Sequence, residues 1–384
     1  MNSSKENHDG VLFIGLDGGN PLAFLASLGT LRLLSLSLPE HRVVMCWQPH
    51  RGAWRPRMIL EPEISSNELL DEVATACRYG AFRGRRQEAK QWEAKFIAAC
   101  AQQGNDERER EKTLKKQRLS GQRLRERLPE QILSFEVAIE EARLGLLQIA
   151  CPHLLIADDL TLSAPDFAHF AATASQAASH DDRSIADFAA AFGCEAVTDE
   201  AGRIQDTGLR TMAGAGHQHF LAFMRNIVLA TTANHLEKAL FSLWCYDDPV
   251  ENLTLRWDPI DDVRYALRWR NPSGDPVRKK QGTVLGANRL AIEGIPLLPT
   301  APQASFVATT GFRGRKSFDT YWTWPIWSEP ATLDVVRTLL AHQELQEDSP
   351  NRRLLSAVGV AEVYRSRRIT IGKVRNFSPA TSPG

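Results

Sequence analysis

The sequence predicts an α+β fold in which mixed antiparallel strands flank a helical middle region. Two segments near the start, "RVVMCW" and "WRPRMILE", have the composition of extended strands. From residue 66 to about residue 243, polar caps followed by apolar residues at helical spacing predict mostly helices. After residue 249, the segments "LTLRW", "YALRW" and "SFDTYWTWPIW" again predict strands. Because these strands and helices do not alternate regularly, the pattern does not favour a parallel-sheet enzyme.

The length of 384 residues suffices for two or three domains and a sizeable core. Shifts in composition and charge along the chain then predict four regions. These are a strand–helix–strand unit at 1–65, a helical, basic segment at 66–150, a helical segment with an acidic first half at 151–248, and a β-rich region with a basic tail at 249–384.

The formal net charge is zero, with 46 basic and 46 acidic residues, but the charges are segregated along the chain. Residues 83–127 hold 14 basic and 7 acidic side chains, whereas residues 151–206 hold 2 basic and 10 acidic ones. Within the basic segment, residues 105–119 have few apolar side chains and predict an exposed helix or a mobile segment. The acidic segment is Ala-rich and predicts helices with a solvated face against a partner or a neighbouring domain.

The compartment is predicted from the first residues and from the cysteines. The N-terminus "MNSSKENHDG" is polar and lacks a signal-peptide core, and no run is long enough to span a membrane. The six cysteines are scattered and none forms C-x-x-C, which is typical of reduced, mostly buried thiols. We therefore expect a cytoplasmic protein with no membrane partner.

The stretch "GLDGGNPLAFLASLGTLRLL" begins with a glycine turn and continues as an apolar helix. Gly18 and Gly19 are predicted to supply the positive φ of a sharp reversal, so that Gly19→Val should destabilise the fold. Asn20 is predicted to cap the helix, and Pro21 fits its first position, where a missing N–H is no loss. Gly29 predicts that another backbone approaches the helix closely.

This turn could in principle hold a phosphate at the helix N-terminus. It has neither the G-x-x-x-x-G-K-[ST] nor the G-x-G-x-x-G spacing, and the carboxylate of Asp17 would repel an anion. A structural corner is the favoured interpretation. The alternative is backbone contact with a nucleic acid or a partner.

The candidate catalytic residues do not form a convincing set. His180 and Asp181 in "SHDD" could help to hold a metal in a phosphohydrolase, but they equally suit the first turn of a helix. His217 and His219 in "GHQHF" share a face only on a strand, so capping or core hydrogen bonding is the favoured role. The sequence has no G-x-S-x-G or H-E-x-x-H motif, and we predict no catalytic residue, metal ligand or cofactor.

Three carboxylates in "DPIDDVRY" offer a second possible metal site. Asp258, Asp261 and Asp262 could bind Mg²⁺. The alternative is a turn with Asx caps, in which one of the acids pairs with Arg264.

The C-terminal tail carries the clearest sequence signal for nucleic-acid binding, because residues 352–375 contain seven basic side chains and only one acidic one. On a regular strand Arg365 and Arg367 lie on one face, a spacing that suits contact with phosphates, and Arg368 lies on the other. The alternative is a solvated strand face that pairs with the acidic segment. The predicted nucleic-acid-binding residues are Arg365, Arg367, Arg368, Lys373 and Arg375.

The segment "GNPLAFLASLGTLRLL" resembles the N-terminal signature of proteins encoded beside subtype I-U (also called I-G) CRISPR systems. In that signature an N-P turn precedes an apolar helix that contains L-G. The segments "LRWDPIDDVRYALRW", "GANRLAIEGIPLLP" and "VYRSRRITIGKVRNFSPA" are also similar to parts of such proteins. The resemblance covers about a third of the chain and implies a large-subunit-like component.

This resemblance implies a non-enzymatic subunit of an RNA-guided complex in antiviral defence. In such complexes base pairing by the guide RNA reads the target sequence, while protein subunits hold the nucleic-acid backbones. The implied partners are guide RNA, target DNA or both, together with other CRISPR effector subunits. The alternatives are a metal-dependent nuclease that uses His180, Asp181 and His217, and a protein-binding adaptor without nucleic-acid affinity.

Overall fold

A computed structural model of the chain describes residues 10–117, 129–179, 182–212, 218–261, 282–314, 320–371 and 374–383. These ranges combine helices with small sheets in which every described strand pairing is antiparallel. The predicted α+β class is confirmed.

The bounds of the strands, in chain order, are β1 Val11–Leu12, β2 Arg42–His50, β3 Ala53–Glu61, β4 Thr300–Gln303, β5 Phe306–Thr309, β6 Phe312–Arg313, β7 Tyr321–Trp327, β8 Ala331–Thr332, β9 Val360–Ile371 and β10 Val374–Phe377. One four-stranded sheet has the order β1–β3–β2–β8, so a strand from late in the chain completes the N-terminal sheet. The C-terminal sheet has the order β10–β9–β7–β6, and β4 and β5 form a hairpin.

The bounds of the α-helices are α1 Pro21–Ser37, α2 Ser66–Tyr79, α3 Arg86–Gln117, α4 Pro129–Ala150, α5 Ala164–Ala177, α6 Ser184–Phe192, α7 Phe220–Ala230, α8 Ala233–Phe241, α9 Leu285–Gly294, α10 Leu333–Leu340 and α11 Arg352–Ala357. The predicted helical middle region therefore extends from α2 to α8. No helix in the described ranges is both long enough and apolar enough to cross a membrane.

Helix α1 is buried almost all round and packs closely against α9. A Cβ at Gly29 would lie only 1.8 Å from the carbonyl oxygen of Leu290, and a Cβ at Gly294 would lie 2.4 Å from that of Leu25. The two helices can approach this closely only because both positions lack a side chain. The close backbone approach predicted at Gly29 is confirmed.

Aromatic rings join α1 to both four-stranded sheets. The ring of Phe24 lies 5.8 Å from Trp47 in the N-terminal sheet and 5.5 Å from Trp324 in the C-terminal sheet, measured between centroids. The indole of Trp327 donates to the Met45 carbonyl at 2.7 Å, which links the two sheets directly. These buried tryptophans form the core and are not a surface for stacking nucleobases.

The strand predicted at "LTLRW" is absent, and residues 253–257 follow an irregular path. Trp257 is fully buried and donates to the Leu209 carbonyl at 2.9 Å. The N–H of Leu255 donates to the side chain of Asn288 on α9, and Arg256 has a positive φ of 59°. These tertiary contacts take the place of the strand-to-strand hydrogen bonds that the alternating sequence pattern predicted. The segment "YALRW" lies outside the described residues.

Candidate nucleic-acid interface

The opening turn is built around the cap of α1. The side chain of Asn20 accepts from the N–H groups of Leu22 and Ala23 at 2.9 and 3.2 Å, and Pro21 occupies the first helical position. The carboxylate of Asp17 accepts from the N–H of Gly19 at 2.9 Å. These side chains already use the N–H groups that a phosphate would need, which supports the structural corner.

The predicted role of the two glycines is wrong in one respect, because neither has a positive φ. A Cβ at Gly18 would lie 2.8 Å from Ile326 and 3.0 Å from the Trp47 ring, both in the core. A Cβ at Gly19 would make only ordinary contacts, the nearest at 3.4 Å. Close packing, and not backbone conformation, therefore excludes a side chain at Gly18. Position 19 has room for one.

We expect Gly18→Ala to destabilise the fold by about 1–3 kcal/mol, because the added methyl group overpacks a buried aromatic contact. Gly19→Ala, one residue away, is the matched control and should change the free energy of unfolding little. Urea denaturation of both variants measures the difference. A larger loss for Gly19→Ala than for Gly18→Ala would contradict the packing explanation.

The acids of "DPIDDVRY" take part in a turn. Asp258 accepts from the N–H of Ile260 at 3.0 Å and from the Tyr246 hydroxyl at 3.1 Å. Asp261 accepts from the hydroxyl of Thr254 at 3.0 Å. The Asx-turn interpretation therefore fits these two residues. Asp262 and Arg264 lie outside the described residues.

The residues of the alternative nuclease site cannot be assembled from the described chain. His180, Asp181 and His217 lie outside it, and His219 precedes α7 without making a side-chain cap. Within the described ranges no three His, Cys, Asp or Glu side chains come together as a possible metal site.

The C-terminal sheet separates the predicted basic residues into two faces. Strand β9 pairs Arg367 with Tyr321 and Arg365 with Thr323 of β7, so these four side chains lie on one face, here called the outer face. The opposite, inner face carries the buried Trp322 and Trp324. Arg368 follows Arg367 and so lies on the inner face. The prediction that Arg368 lies on the opposite face of the strand from Arg365 and Arg367 agrees with this register.

The inner face binds a segment of the same chain. Arg368 donates to the carbonyls of Thr207 and Gly208 at 3.0 and 3.1 Å. Arg375 lies opposite Thr370 on this face, donates to the Arg210 carbonyl at 3.1 Å and forms an ion pair with Asp206. Burial, and secondarily the charge of Arg375, lowers the pKa of Arg368 to about 10.

These contacts favour a structural role for Arg368 and Arg375. One alternative for the basic tail was pairing with the acidic segment 151–206. Arg375 pairs in this way, because its partner Asp206 belongs to that segment. Both guanidinium groups tie the sheet to residues 206–210 through these hydrogen bonds and the ion pair.

On the outer face, Arg365 is also engaged within the chain. It donates to the Thr323 hydroxyl at 2.9 Å and to the carbonyls of Leu345 and Asp348 at 3.1 and 3.0 Å. Arg313 of β6 donates to the Gln346 carbonyl and forms an ion pair with Asp348 at 2.8 Å. Residues 345–348 thus lie against two outer-face arginines.

Arg367 differs from these neighbours. Its side chain is exposed and makes no hydrogen bond or ion pair with any described residue. Strand register places Arg313, Tyr321 and Arg367 directly opposite one another on three adjacent strands. We call these three residues the cation–aromatic row. Lys373 lies outside the described residues.

A buried ionic cluster between α1 and α9 was not found from the sequence. Arg32 and Arg289 each donate to the carboxylate of Glu293 at 2.9 Å, and all three side chains are buried. Burial alone raises the pKa of Glu293, but the charges of Arg289 and Arg32 outweigh it and hold that pKa below its ordinary value. A single Arg in "LGTLRLL" and a single Glu in "AIEG" were the available signals, since ions in apolar helices need partners.

His153 lies beside this cluster. Its ring stacks on Phe188 with a centroid distance of 3.6 Å, and its Nε2 is buried without a hydrogen-bond partner among the described residues. Burial lowers the pKa of His153 to about 3. The charge of Glu293 opposes this shift, whereas the charges of Arg32 and Arg289 add to it. His153 is therefore neutral in the folded protein at ordinary pH.

Comparisons with known proteins add no assignment. The chain matches no protein-family model, and no curated protein matches it. The likeness to subtype I-U CRISPR proteins therefore rests on the sequence segments quoted above.

Proposed function

We propose that the protein is a non-enzymatic, cytoplasmic subunit of a CRISPR-type RNA-guided interference complex, where it binds nucleic acid and sibling subunits. The resemblance of the opening stretch and of three later segments supports the RNA-guided part. The partners are guide RNA, target DNA or both, and other effector subunits, and the role is in antiviral defence.

One structural observation carries the nucleic-acid part of the proposal. In the cation–aromatic row, Arg367 is exposed and has no partner among the described residues. A solvent-exposed guanidinium group attracts phosphate oxygens without regard to base sequence. The proposal therefore narrows the predicted binding residues to the outer face, with Arg367 as the principal contact. Arg368 and Arg375 support the sheet from its other side.

The proposal is tested by co-purification. The tagged protein is expressed with a CRISPR guide RNA and with the proteins encoded beside its gene, and bound RNA and proteins are identified after washing. We expect the guide RNA and at least one sibling subunit to remain bound. Recovery of the folded protein without either would contradict the proposal.

The same preparation tests the non-enzymatic part. Labelled single- and double-stranded DNA and RNA are incubated with the protein in Mg²⁺ and in Mn²⁺, and no cleavage is expected. Cleavage that is lost in His180→Ala or Asp181→Ala would instead support the nuclease.

A further inference from the structure

The cation–aromatic row has a specific geometry. Tyr321 is the central member, paired with Arg313 of β6 on one side and Arg367 of β9 on the other. Adjacent strands are about 4.8 Å apart, so the two arginine Cα atoms lie roughly 10 Å apart with a phenol ring between them. Tyr321 is only partly buried, although the six residues that follow it in β7 are buried. An aromatic side chain is thus kept at the surface of an otherwise covered strand.

From this geometry we infer that the outer face binds a single strand of nucleic acid, with an unpaired base stacked on Tyr321 and the flanking phosphates at Arg367 and Arg313. The inference rests on the proposed function and specifies its ligand. A ring on a sheet offers a stacking surface that is tolerant of base identity, and arginines beside it hold the backbone. Bases in a duplex are already stacked on one another, so a duplex gains only the phosphate contacts.

Asp348 competes with this ligand for Arg313. Its side chain is 86% exposed and that of Arg313 is 44% exposed, so their ion pair lies in solvent. Exposed ion pairs contribute little to stability, and a phosphate can displace this one. Arg365 stays bound to residues 345–348 through backbone carbonyls, so the ligand need not unfold that segment.

The test compares the affinities of a fluorescein-labelled oligouridine and a labelled DNA duplex of the same length, by anisotropy at one salt concentration. Tyr321→Leu should weaken oligouridine binding about 5- to 150-fold and leave duplex binding nearly unchanged. Tyr321→Phe keeps the ring and should bind like the wild type. Asp348→Asn should strengthen oligouridine binding about two- to fivefold, because the ligand then no longer has to break the exposed ion pair between Asp348 and Arg313.

A second measurement covers the case in which Tyr321→Leu fails to fold. The wild-type protein is photocrosslinked to an oligonucleotide that contains 5-bromouridine, and the adduct is expected on Tyr321.

Two outcomes separate the inference from the proposed function. If Tyr321→Leu folds and binds oligouridine like the wild type while Arg367→Ala binds less, the stacking inference fails and the proposed function stands. If the wild type binds neither probe and binds only an acidic protein surface, both fail.

Discussion

Glu293→Gln should lower the free energy of unfolding by about 3–5 kcal/mol, because it removes the carboxylate that two buried guanidinium groups share. Arg32 and Arg289 converge on this carboxylate at 2.9 Å, and the side chains of both are at most 1% exposed. The substitution keeps the size of the side chain, so the effect reports charge and not volume.

The matched control is Glu61→Gln, which removes a carboxylate from an exposed pair with Arg42 at 3.1 Å. Exposed pairs contribute at most about 1 kcal/mol. Urea denaturation of both variants gives the two losses. Equal losses would mean that the buried cluster does not hold α1 against α9 through its charges.

Stability should also fall as the pH is lowered from about 6.5, because His153 stays neutral in the folded protein. In the unfolded chain this side chain gains its proton near pH 6.5, whereas burial lowers its folded pKa to about 3. The unfolded state therefore binds more protons between these values, and unfolding becomes easier as the pH falls. Integrating this proton-binding difference over pH predicts that His153 lowers the free energy of unfolding by about 2 kcal/mol between pH 8 and pH 5.

The test compares the pH dependence of unfolding for the wild type, His153→Phe and His169→Phe. His169 is exposed on α5 and serves as the control. Only substitution of His153 should remove its contribution of about 2 kcal/mol to the pH dependence, whatever the absolute stability of the variant. His153→Asn gives the same comparison if the larger ring is not accommodated. An unchanged slope in a folded His153 variant would show that other groups cause the pH dependence.

Local signals in the sequence predicted the opening unit well. Asn20 and Pro21 cap α1 as their side-chain chemistry requires, and Gly29 marks the contact with α9. These features depend on neighbours in the chain or on the absence of a side chain. Gly18 was assigned to the turn for the wrong reason, since Trp47 and Ile326, which exclude a Cβ there, come from distant strands.

The candidate interface could be predicted only in part, for a related reason. Alternation along β9 correctly separates Arg365 and Arg367 from Arg368. Strand periodicity does not reveal which face meets the core, so the contacts of Arg368 with residues 207 and 208 were not predictable. The same limit applies to Arg32 and Glu293, which are 261 residues apart in the chain. Tyr321 gained significance only when the register placed it between two arginines.

Arg367 on the outer face is proposed to contact nucleic-acid phosphates. The most direct measurement is the affinity of Arg367→Ala for oligouridine over a range of salt concentrations, beside Arg183→Ala. Arg183 is an exposed arginine that precedes α6, so its removal changes the net charge equally. We predict that Arg367→Ala weakens binding for every sequence tested and reduces the slope of log affinity against log salt by about 0.7, the value for one phosphate contact on a single strand. Arg183→Ala should keep the wild-type slope. An Arg367→Ala protein that melts like the wild type and binds with the same affinity and salt slope would contradict the claim.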